Sequence, residues 1–235
     1  MDAGHEIVEI ASTSGGSIVG LAVACAMPQS DLHQLAVLEP MNDLLSRSYV
    51  RAVWCGQEDS GAALYKWLDK AFGYRMMKQA KIPIKVFSVD LAKGLFAFTP
   101  TTTPDVSMAL AARASSAVPK IWDPVEWNGS YFVDGGVRAN IPIDYLTRDG
   151  LPLLGIKVME ADVYDVSTRL ARDEACLAHM LASNEEHEML LGQALGATLI
   201  KVDAGKAGFL DFSLPTATRS ALFQAGYEQT KATRF

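Results

Sequence analysis

With 49% hydrophobic and 20% charged residues, the 235-residue chain can bury a sizeable core, and its composition excludes disordered, collagen-like and repeat-array classes. The formal net charge of -6 argues against a nucleic-acid binder, which needs a basic patch. Cys25, Cys55 and Cys176 make neither a zinc-type pair nor a disulfide framework. The first ten residues lack a signal-peptide pattern, and the longest apolar run, 18–27, is about half a membrane span, so a cytoplasmic protein without metal or cofactor is expected.

In chain order, Ile7, Val8 and Ile10 form a short β-type run that ends at a cluster of small residues. A buried helix over 17–27 follows and stops at Pro28. Residues 31–54 suggest two amphipathic helices broken at Pro40, and 62–72 suggests a third with Trp67, Leu68 and Phe72 on one side. The clearest strand is 82–89, alternating and β-branched. A proline- and threonine-rich loop then leads, capped by Thr103 or Asp105, into a helix. "GSYFVDGG" reads as a short strand ending in a glycine turn, 151–159 as a buried strand, 167–196 as one or two helices and 197–203 as a strand. A helix over 213–234 closes the chain. Apolar strands alternating with helices point to one α/β domain over 1–235, a three-layer α/β/α arrangement around a mainly parallel sheet.

Ser12-Thr13-Ser14-Gly15-Gly16 lies between the first strand and the first helix. A sharp strand-to-helix turn projects its apical residue out of the sheet and needs small neighbours, the pattern usually written G-x-S-x-G, here with serine in place of the first glycine. Ser14 would sit at the apex, where the helix dipole and free N–H groups favour developing negative charge. A serine that only caps the helix gives the same pattern. No G-x-G-x-x-G spacing or P-loop lysine supports a nucleotide site.

A second motif joins the first. Residues 112–143 read "ARASSAVPKIWDPVEWNGSYFVDGGVRANIPI", with Asp134 ahead of Gly135 and Gly136. Alone, Asp-Gly is ordinary turn chemistry. Together, the two motifs resemble the patatin-like phospholipase family, and weaker likeness extends over residues 7–232. The resemblance implies a Ser–Asp dyad of Ser14 and Asp134, with Gly15 offering an oxyanion donor beside Gly16, and Gly135 and Gly136 forming the "DGG" turn. It implies a lipid or acyl-ester substrate, hydrolysis through an acyl-enzyme, and peripheral membrane contact. The residues 35–49 and 64–72 are apolar enough to line an acyl cleft or cover it; ordinary core-facing helices fit them too.

Alternatives remain on the sequence alone. The order Ser14, Asp134, His187 matches that of α/β-hydrolases, yet His187 lies in a helix-like run and only 13 residues precede Ser14. The acids Glu185, Glu186 and Glu188 around His187 read as a solvated helix face. Ser115 and Ser116 read as a helix end. The family's G-G-G-x-R/K-G oxyanion loop has no match here, so an N-terminally truncated domain is expected. A second function class follows: a catalytically impaired patatin-fold protein that binds lipid or a partner.

Overall fold

The computed structural model describes residues 5–39, 44, 59–147, 149–159, 167–204 and 213–233. Strand β1 is Ile10–Thr13 and runs into helix α1, Gly15–Ala24. The helix begins two residues earlier than the apolar pattern suggests, because the glycines themselves form its first turn. Helix α2, Gln29–His33, continues into a π-helical turn at Gln34–Leu38. Of the two amphipathic helices expected over 31–54, the parts at 40–43 and 45–54 lie outside the described residues.

Helix α3 is Ala62–Ala71. Leu64, Leu68 and Phe72 are fully or almost fully buried, so this face belongs to the core. Strands β2, Ile84–Asp90, and β3, Gly94–Phe98, form a hairpin. Its turn is held by Asp90, whose Oδ1 accepts the N–H groups of Ala92 and Lys93, and by Gly94 at φ 97°. Helix α4, Met108–Ser115, is capped by Ser107, whose hydroxyl accepts the Leu110 N–H. Neither Thr103 nor Asp105 serves as cap; Thr103 instead braces the preceding loop through the N–H and C=O of Thr99.

Strands β4, Val125–Trp127, and β5, Ser130–Asp134, make a second hairpin around Asn128 and Gly129. Both turn residues have positive φ, 50° and 73°, which an Asn-Gly pair adopts at little cost. The chain continues through β6, Leu154–Met159, α5, Arg169–Ala182, α6, Glu185–Ala194, β7, Thr198–Asp203, and α7, Thr216–Ala232.

The main sheet is mixed rather than mainly parallel. Among the described residues only its β1–β2 pair is parallel; β2–β3, β2–β5 and β4–β5 are antiparallel, because two tight hairpins interrupt the strand–helix alternation. A separate parallel pair joins β6 to β7. One face of β2 sends Ile84 and Val86 into a core with Leu21, Leu68, Phe72, Phe98 and Phe132, covered by α1, α3 and α4. On the opposite face Phe87 and Val89 are buried, with the Phe87 ring against Tyr145 at 4.8 Å between centroids. Helices on both sides of a sheet complete the three layers.

The pairing of β2 decides where the chemistry can be. Val86 and Phe87 pair with both β1 and β3, and Ser88–Asp90 pair with both β3 and β5. A strand has two edges, so β1 and β5 share the edge opposite β3, laid end to end. They approach each other from opposite directions, and their C-terminal ends meet beside Phe87 and Ser88. Among the described residues no helix is long and apolar enough to cross a membrane.

Candidate active site

At that meeting point stand Ser14, just past the end of β1, and Asp134, the last residue of β5. The Ser14 hydroxyl donates to Asp134 Oδ2 at 2.7 Å. Two residues 120 positions apart are thus brought into hydrogen-bond contact by strands that abut on a common neighbour. The carboxylate's other oxygen, Oδ1, accepts the Gly136 N–H at 2.7 Å. The Asp134 N–H in turn donates to the Ala117 carbonyl at 2.9 Å.

Ser14 has φ 52° and ψ -136°, outside the regions a side chain prefers, and such a conformation costs on the order of 1–3 kcal/mol. It persists because the neighbourhood over-determines it. The Ser14 carbonyl accepts from both the Ser17 N–H at 2.8 Å and the Ser17 hydroxyl at 2.6 Å. The Ser14 N–H donates to Ser115 Oγ at 2.9 Å, and the Ser115 hydroxyl donates to the Phe87 carbonyl at 2.6 Å. From the sequence alone Ser115 reads only as the end of a helix; the local cue for more is a serine pair inside a run of alanines.

The glycines of the two motifs divide by environment. Gly15 and Gly16 are exposed at the start of α1, and a Cβ on either would meet nothing within 4 Å. They leave open space in front of Ser14. Gly135 is buried, and a Cβ there would fall 2.4 Å from the Phe87 carbonyl oxygen and 2.9 Å from Thr13 Cγ2. Gly136 could carry one only 3.0 Å from Asp134 Oδ1. Within α1, Gly20 faces Ser12, whose Oγ would lie 2.9 Å from an added Cβ.

Asp134 is fully buried, and burial pushes its carboxyl up to about 7 against the lowering pull of its bonds from Ser14 and Gly136. A base with that affinity holds and releases protons near neutrality.

His187 sits within α6, as its helical pattern suggests. The Asp134 oxygens are occupied by Ser14 and Gly136, and neither bond involves a histidine. The neighbouring acids are not a uniformly solvated face. Glu188 is buried, and its carboxylate accepts the Asn140 N–H at 3.1 Å and the Ile141 N–H at 2.7 Å. Burial raises its proton affinity, and the backbone bonds oppose that. Glu185 accepts from Lys157 and from the Asn140 side chain. These acids fasten the segment that follows the "DGG" turn. Among the described residues no group of three or more His, Cys, Asp or Glu side chains could hold a metal ion.

Comparisons with known proteins bear on the family and the fold. A family model for the patatin-like phospholipases matches residues 2–147, which include both Ser14 and Asp134. Over 47 residues the chain is 40% identical to the "Probable lipid hydrolase 463L" of Invertebrate iridescent virus 6, a match covering 20% of this chain and 16% of the viral one. Among solved structures, VipD from Legionella pneumophila superposes with a TM-score of 0.59 at 15% identity, over 95% of this chain and 60% of VipD. The matched regions therefore span less than two thirds of either relative. The chain belongs to the patatin-like phospholipase family.

Proposed function

We propose that this protein is a lipid acyl hydrolase in which Ser14 is the nucleophile and Asp134 the general base. The observation that carries the reading is the 2.7 Å hydrogen bond from the Ser14 hydroxyl to Asp134 Oδ2. As Ser14 Oγ bonds to the acyl carbonyl carbon, its proton passes to Asp134. The tetrahedral intermediate collapses with release of the alcohol, which takes that proton, and an acyl-Ser14 ester remains. Water, deprotonated by Asp134, attacks the ester and frees the carboxylic acid and Ser14.

A carboxyl titrating near 7 suits the base role far better than one near 4, because proton transfer is fastest when base and working pH are matched. The negative charge of the intermediate develops at the start of α1, where Gly15 supplies an N–H and the helix dipole is favourable. The lipid-hydrolase name of the viral relative points to the same substrate class.

A fluorophosphonate probe tests the reading without assuming a substrate. Labelling of the folded chain that disappears in Ser14→Ala and in Asp134→Asn supports the dyad. A p-nitrophenyl ester series of increasing acyl length then reads the substrate. A folded chain that takes no label overturns the hydrolase and leaves the lipid-binding alternative.

A further inference from the structure

Resting on that reading, we infer that Ser115 is a positioning residue for the nucleophile: its hydroxyl replaces one rung of the β1–β2 ladder and thereby sets the elbow. The register makes the case. The Ile10 N–H donates to the Pro83 carbonyl, and the strands pair Ile10 with Ile84 through Thr13 with Phe87. In a parallel pair, every second residue directs its N–H toward the neighbour. The rung two steps beyond Ser12 would run from the Ser14 N–H to the Phe87 carbonyl.

That rung is not made directly. The Ser115 hydroxyl stands between, accepting from Ser14 N–H at 2.9 Å and donating to the Phe87 carbonyl at 2.6 Å. A hydroxyl can do both at once, which a methyl cannot and a thiol does poorly. The insertion holds the Ser14 peptide away from β2 while keeping its N–H satisfied. That allows the backbone to turn out of the sheet at φ 52° without stranding a buried donor. It comes just before β5 takes over the same edge of β2.

The segment around Ser115 also grips the other half of the dyad. The Ala117 carbonyl accepts the Asp134 N–H at 2.9 Å, and the buried Ser88 hydroxyl lies 3.1 Å from the Ala114 carbonyl and 2.7 Å from that of Val133. Ser115 and Ala117, two positions apart, therefore tie both reacting groups to one short stretch. Ser115 touches neither the hydroxyl of Ser14 nor the carboxylate; its action is through the Ser14 backbone.

The test compares fluorophosphonate labelling of the wild type, Ser115→Ala and Ser116→Ala. Ser116 is the matched control, since it is also buried at the same helix end but its hydroxyl has no hydrogen-bond partner. The expected result is a limiting labelling rate reduced on the order of ten- to a hundredfold in Ser115→Ala. The half-saturating probe concentration and the pH midpoint should stay as in the wild type, because Asp134 keeps its own bonds. Ser116→Ala should label at the wild-type rate. Ser115→Cys fills the same space with a weak acceptor and should fall between the two. If Ser115→Ala labels as fast as the wild type, or if Ser115→Ala and Ser115→Cys both fail to fold, the positioning role is overturned. A wild type without label fails the hydrolase reading itself, a distinguishable outcome.

Discussion

Gly135 lies so close over Phe87 that a Cβ on it would be 2.4 Å from the Phe87 carbonyl oxygen. Backbone cannot move aside as a flexible side chain can, and Phe87 is held by both β1 and β3. Gly135→Ala is therefore expected to cost about 2 kcal/mol or more in stability. It should also displace the turn that carries Asp134. Gly15→Ala, whose Cβ meets nothing within 4 Å, should leave the midpoint of urea unfolding unchanged. Parallel denaturation curves of the two variants check the contrast.

Asp134→Asn should remove labelling and yet strengthen the fold. The carboxyl is raised from 3.8 to about 7, so between those values the folded state holds a proton that the unfolded chain has released. Its contribution is fully present below 3.8 and is lost as the pH rises through 7. Above that, an ionised Asp134 costs up to roughly 4 kcal/mol. Asn keeps an acceptor for Gly136 and a group facing Ser14 without the charge. At pH 8 the variant should unfold at higher urea than the wild type, and the difference should shrink toward pH 4.

The same titration sets the pH profile of the reaction. Only ionised Asp134 can accept the Ser14 proton, so the labelling rate should rise with pH and level off above a midpoint near 7. A midpoint near 4 would mean that burial does not raise the Asp134 carboxyl from its ordinary value of 3.8.

Glu188→Ala should destabilise the protein by about 2 kcal/mol, since it leaves the Asn140 and Ile141 N–H groups without their carboxylate partner. Glu188→Gln keeps an acceptor and should lose less. Thermal unfolding of the two variants against the wild type separates the cases.

Much of the site was legible because it is local. Ser14 and Asp134 each lie in a short motif whose small residues announce a tight turn, and the order of the motifs pointed to a family. The helices α3, α6 and α7 likewise follow from periodicity. The pairing of strands was not legible in the same way. Asn128-Gly129 is a strong hairpin signal, but the flanking runs of three and five residues are too short to show alternation. That the strands before Ser14 and Asp134 share one edge of β2 is a property of register, and register is written nowhere in a single segment. Ser115 and Glu188 escaped for a related reason. Each acts on a backbone group 47 or more positions away. Nothing in a serine at a helix end or a glutamate on a helix tells which distant N–H it will meet.

The contact between Ser12 and Gly20 makes the two positions mutually dependent in evolution. A glycine inside a helix is about 1 kcal/mol less favourable than alanine, yet Gly20→Ala alone would drive its methyl to 2.9 Å from Ser12 Oγ. The serine that replaces the family's first elbow glycine is thus tolerated opposite a residue with no side chain. Ser12→Gly would remove that obstacle and leave Ile10 Cγ2, at 3.3 Å, as the neighbour that an alanine at position 20 must fit against.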